Sequence, residues 1–193
     1  GAPKSRSVDT YNAFIPEFAA SASDQVFSSA SMQIGFASLA LPAAPYASRE
    51  QAAELVLAHY LSTGILWEDI RMRGGAYGAF AHPDGLEPVF VLATYRDPKP
   101  RRSLEALLEA LRSCASTPID KTELDKAIIG SYSKETRPRT PSQNGTADFL
   151  RFLTGIDDKM RSDKLKFLVD IQADELQATA QRLLSGQKAI ARV

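Results

Sequence analysis

The sequence contains one cysteine, Cys114, and only two histidines, His59 and His82. A single thiol cannot close an intrachain disulfide, so no disulfide framework supports the fold and the composition suits a reducing compartment. Neither histidine stands in a His-x-x-Glu-His arrangement or its inversion, and one cysteine cannot complete a zinc cage. His59 falls among apolar residues of a helix-like run and His82 in a hairpin-like one, where both read as structural. Net charge is missing too, because 23 Lys plus Arg balance 23 Asp plus Glu. No global field draws the chain toward nucleic acid or an anionic membrane. No stretch approaches the ~20 apolar residues of a membrane span. The opening "GAPKSRSVDTYNAF" has neither the apolar core of a signal peptide nor an obvious transit-peptide amphipathicity. The specific signal of a hydrolase nucleophile elbow, Gly-x-Ser-x-Gly, is absent, although a scattered Ser-His-Asp triad needs no such adjacency.

What is present is enough for a sizeable core. The 193 residues, 44% of them hydrophobic, read as one domain, residues 1–193, in which 1–20 form a linker or irregular segment. "DQVFSSASMQIGFASLAL", 24 to 41, has the β-compatible, imperfectly alternating character of one long strand or two abutting ones. Ser48 with Gln51 forms a capping box for a helix whose apolar spacing runs through Val56, Leu57 and Leu61 to Trp67 and Ile70. "AYGAFAH" and "EPVFVLATYRD" flank "PDGL" as a hairpin, with Pro83 and Pro88 favouring edge or end positions. Helices follow. One carries Leu104, Leu107, Leu108 and Leu111; a second, started by Asp120 with Glu123, carries Leu124, Ala127, Ile128 and Tyr132. A third begins at Thr140, Pro141 and Gln143 and is expected to bury Phe149, Leu150 and Leu153. Two shorter ones, around 158–168 and 174–184, precede the strand "KAIARV", which has no closing signal. The predicted class is α+β, a mainly antiparallel sheet with helices packed on one face, within a longer polypeptide.

The stretch "LWEDIRMRGGAYGAFAHPDG", residues 66 to 85, is the candidate site. A helix enters the glycines and a strand leaves them, so the negative end of the helix dipole faces the turn. Phosphate cradles have the opposite order. Gly74 is placed as the left-handed cap, with Arg71 and Arg73 complementing the dipole. Gly74, Gly75, Ala76 and Gly78 leave little bulk at the start of a strand, which would let a foreign extended backbone approach. Arg71 before the turn and Tyr77 after it then converge as donors, Arg to carbonyl or carboxylate oxygens and the tyrosine hydroxyl to an oxyanion. On spacing alone the plainer alternative, a capped helix and a packing tyrosine, stays in front. The basic run Arg96, Lys99, Arg101 and Arg102, with Arg137 and Arg139 elsewhere, reads as solvated surface, and Cys114 as a small packing residue.

"IRMRGGAYG" followed by "VFVLATYRDP" resembles the C-terminal half of the insulinase (pitrilysin) zinc metallopeptidases. The likeness is closest to the presequence protease and falcilysin subgroup and extends through "TELDKAIIGSYS" and "PSQNGTADFLRFLTGI". The resemblance implies a four-domain peptidase that degrades unstructured peptides, its zinc and glutamate base lying in an N-terminal domain outside this chain. It assigns Arg71 and Tyr77 to grip of the substrate backbone and Tyr77 to oxyanion support. The implied partners are a peptide and the other domains of the same polypeptide, in a cytoplasmic or organellar, mitochondrion-like compartment rather than a secreted one. The fragment alone is expected to bind no zinc and cleave nothing. A non-catalytic homologue, structural or peptide-binding, is the alternative.

Overall fold

Alternation along "ASLALP" puts Ala37, Leu39 and Leu41 on one face. In the computed structural model, which describes residues 34–192, this is strand β1 (Ala37–Pro42) and those three side chains are buried. Strand β3 (Val89–Tyr95) lies antiparallel beside it, with Leu39 opposite Leu92 and Leu41 opposite Phe90. Residues directly opposite share a face, so one apolar layer runs across both strands. Strand β2 (Gly78–Asp84) pairs antiparallel with β3, and β4 (Ala189–Arg192) with β1, in the order β2-β3-β1-β4. Among the described residues Pro83 thus lies in an edge strand, the position a proline tolerates. The predicted strand is realised from Ala37, with Gly35 bridged to Asp97. Its residues 24–33 and the expected irregular segment 1–20 lie outside the described residues.

Helix α1 (Arg49–Thr63) packs between β2 and the helices α3 (Lys121–Thr136), α5 (Asp158–Val169) and α6 (Ala173–Ser185). Helix α2 (Pro100–Ser116) covers β1 and β3 and leans on α6. The helices therefore occupy one face of an antiparallel sheet, as predicted. Ser48 accepts the Gln51 N–H at 3.1 Å, yet the box is only half made. The Ser48 N–H is already given to the Pro45 carbonyl at 3.2 Å, and Gln51 turns inward, where it is buried. At α3, Asp120 accepts the Thr122 N–H at 2.9 Å, whereas Glu123 pairs with Lys126 at 2.7 Å and does not close a box.

Helix α4 (Pro141–Thr154) has the complete box, Thr140 accepting from Gln143 N at 3.3 Å and its own N–H donating to Gln143 Oε1 at 3.0 Å. Gly155, with φ 70°, closes it. The expectation for its apolar face is corrected: Phe149, Leu150 and Leu153 are 60%, 52% and 56% exposed. An apolar stripe shows which face of a helix avoids water but not what covers it. Here no residue of α4 is buried.

Candidate functional site

The apolar spacing predicts an unbroken helix to Ile70, but α1 ends at Thr63. After Gly64 the chain widens into a π-helical turn, Trp67–Met72, in which the Arg73 N–H reaches back five residues to Glu68 O at 3.0 Å. Such π turns cluster at functional sites. The widening alters the cap. Gly75 N–H donates to Arg71 O and Ala76 N–H to Ile70 O, both at 3.1 Å, and each bond spans one residue more than the α-helical Schellman closure. The left-handed residue is consequently Gly75, φ 85°, and not Gly74 as expected.

Gly74 is required for a different reason. A Cβ there would lie 2.4 Å from the Ile70 carbonyl oxygen, so the backbone of the π turn occupies the space of any side chain. We expect Gly74→Ala to cost about 1–3 kcal/mol by overpacking, despite alanine's better helix propensity, read as a lowered urea midpoint.

The two arginines of the turn separate into different roles. Arg73 is held by Glu68 at 2.6 Å and Asp69 at 2.7 Å. Arg71 has no carboxylate partner among the described residues. Its guanidinium instead lies 3.9 Å from the centre of the Trp67 ring and 5.9 Å from that of Tyr77. An indole face is the strongest aromatic partner for a cation, and the four-residue spacing of Trp67 and Arg71 puts them on one side of the turn. Tyr77 is 65% exposed, its ring edge-on to Tyr95 at 5.9 Å, and the Phe36 ring lies tilted 5.8 Å from that of Tyr95. The Tyr77 N–H donates to Arg96 O at 3.2 Å.

Two cations and three rings thus run from Trp67 through Arg71, Tyr77 and Tyr95 to Arg96, whose guanidinium lies 5.9 Å from the Tyr95 ring. Arg71, Gly75, Ala76, Tyr77 and Arg96 help line one open concavity of about 570 Å³. Gly74 is buried behind it, and Gly78, half-buried, opens β2 opposite Tyr95. The fold therefore brings all six predicted residues to one turn. Trp67, Tyr95 and Arg96 were not singled out for this site. The spacing of Trp67 and Arg71 carried a signal for the first, but Tyr95 and Arg96 are brought in by strand register. Arg96 is exposed, as expected of the surface run, and also lines this concavity. Its neighbours Lys99, Arg101 and Arg102 line a separate concavity of about 470 Å³ with Glu105 and Arg192.

The other candidates offer little chemistry. Cys114 is buried, and burial pushes its thiol up to about 11, away from the reactive thiolate. The His59 ring lies against the Gly130 backbone, and His82 is exposed on β2. Among the described residues no three His, Cys, Asp or Glu side chains converge as a metal ion needs, so these residues do not fit a zinc site.

The model of the PreP C-terminal domain matches residues 46–190, which include the whole π turn and its glycines. The mitochondrial presequence protease of Gibberella zeae is 31% identical over 152 residues, covering 79% of this chain and 15% of that protein. The chain thus spans about 15% of the length of this relative. An M16 peptidase inactive domain from Pseudomonas fluorescens has a TM-score of 0.65 at 14% identity, covering 82% of this chain and 40% of that one. Pitrilysin gives a TM-score of 0.58 at 15% identity, with 82% and 18% covered. The matched residues and the shared fold lead to one assignment: the chain belongs to the PreP C-terminal domain family and has the fold of a pitrilysin-type peptidase domain.

Proposed function

We propose that the chain is the C-terminal, non-zinc-binding domain of a zinc metalloendopeptidase that degrades unstructured peptides, and that it supplies substrate grip and oxyanion support. The observation that carries this reading is Arg71, a guanidinium stacked on Trp67, without a carboxylate partner among the described residues, beside an exposed tyrosine hydroxyl. A guanidinium consumed by Glu or Asp, as Arg73 is, has fewer donors left for a ligand. Arg71 instead presents its N–H groups to peptide carbonyl oxygens. Gly75, Ala76 and Gly78 keep the approach low at the start of β2, the edge strand among the described residues, where an extended peptide has room to pair; further along, the Ala81 N–H is already held by Ser62 Oγ at 2.8 Å. Gly74 shapes the turn from behind. Tyr77 donates its O–H to the carbonyl oxygen as negative charge develops there.

The zinc is assigned to an N-terminal domain of the same polypeptide, whose metal supplies Lewis-acid chemistry when bound. The peptide substrate and those other domains are the partners. A mitochondrion-like organelle is the proposed compartment, in keeping with the mitochondrial name of the Gibberella zeae relative.

The full-length protein is expected to cleave an unstructured peptide, to lose that activity with 1,10-phenanthroline and to regain it with zinc, while the isolated chain cleaves nothing. Cleavage indifferent to the chelator would overturn the metallopeptidase assignment. A full-length protein that binds the peptide but never cleaves it would establish the alternative, a non-catalytic peptide-binding or structural subunit.

A further inference from the structure

Arg96 has a φ of 50°. This left-handed conformation is strained for an L side chain. Such strain survives where neighbouring structure imposes it, and it gathers at ligand clamps and active sites. Here the imposition is explicit. Gly35 and Asp97 exchange N–H···O bonds at 2.7 and 2.9 Å on one side, and the Arg96 carbonyl accepts the Tyr77 N–H at 3.2 Å on the other. Buried Asp97 fixes the next step of the chain by accepting the Lys99 N–H at 2.8 Å through Oδ1.

The strained turn delivers the Arg96 side chain to the same concavity as Arg71 and Tyr77. Among the described residues no Asp or Glu lines that concavity, and neither guanidinium has a carboxylate partner. One guanidinium suffices for the carbonyl oxygens of a peptide backbone. A second, set apart from Arg71 by the edge-on Tyr77 and Tyr95 rings, suits a full negative charge, because its planar fork matches a carboxylate with two parallel N–H···O bonds.

We propose that Arg96 is a specificity-determining residue that binds a carboxylate of the peptide, either an acidic side chain or the C-terminal carboxylate. This rests on the peptidase reading above and extends it from backbone grip to choice of substrate. The test uses the full-length protein and one unstructured peptide in four forms, with a single Glu or Gln and with a C-terminal acid or amide. The single position is stepped along the sequence. Wild-type kcat/KM is expected to favour one carboxylate-bearing form over its neutral counterpart about tenfold, the scale of one charge-assisted hydrogen bond. The arm that shows the preference identifies the source.

Arg96→Gln, which keeps an L side chain of similar reach at the same φ, should bring that ratio close to one, and Arg96→Lys should retain part of it. A wild-type enzyme that cleaves all forms equally overturns the inference while leaving the peptidase reading intact. So does an Arg96→Gln enzyme that loses activity on every form in equal proportion, since that marks a structural role. Cleavage of no form by the wild type overturns both.

Discussion

Replacing Arg182 with Met is expected to cost the folded chain about 3 kcal/mol, the lower end of the range for a buried ion pair broken on one side. Glu54, on α1, is fully buried and pairs with Arg182 of α6, while its Oε1 also accepts the Ala44 N–H at 2.9 Å. Removing the guanidinium leaves a carboxylate in the core with one backbone donor. The lower figure applies because Arg182 is itself 39% exposed, so water can enter part of the space. Desolvation already holds the Glu54 carboxyl above its ordinary range against the opposing pull of Arg182 and Ala44. A raised carboxyl binds more protons folded than unfolded, so this group's contribution to stability falls as pH rises from its unfolded value through its folded one. The Arg182→Met variant should widen that window, and its deficit, measured by denaturant unfolding, should be greater at pH 8 than at pH 5. Glu54→Gln should cost less, since it removes the buried charge and strands only a half-exposed guanidinium. Equal deficits at both pH values would show that Glu54 remains charged and solvated without its partner.

The contrast between α4 and the sheet explains how much was legible in the sequence. Period-2 alternation in "ASLALP" and "VFVLATY" reports burial directly, because each side chain points to one face or the other and the helices of the same chain cover the inner face. The stripe on α4 is equally clear, and its N-terminal cap at Thr140 is as the sequence predicts. Its prediction of burial went wrong because a covering surface is a property of the tertiary arrangement. The cap at Gly74 went wrong by one residue for a local reason. Apolar spacing fits α and π turns about equally over six residues, so the widening that moves the left-handed residue to Gly75 leaves no trace in the pattern. Within the site, Arg71 and Tyr77 were singled out from the sequence, and the turn does bring them together. Trp67 was in reach of a spacing argument. Tyr95 and Arg96 were not, because they arrive through the register that sets Gly78 opposite Tyr95 and through a positive φ that no residue preference announces.

Tyr77→Phe in the full-length protein removes one hydroxyl and keeps the ring that packs edge-on against Tyr95. Folding should therefore be unaffected, and the loss should fall where a hydrogen bond strengthens as the carbonyl oxygen becomes an oxyanion. A donor that acts in this way is worth about 2.7–4 kcal/mol, or 10²–10³ in kcat, with little change in KM. Arg71→Ala should differ, raising KM as well, because its N–H groups grip the backbone before charge develops. Steady-state kinetics of Tyr77→Phe on one unstructured peptide is thus the most direct measurement. The expected result is kcat reduced at least 10²-fold at unchanged KM and unchanged melting temperature, whereas wild-type kcat would remove the oxyanion role and reduce the turn to a capped helix with a packing tyrosine.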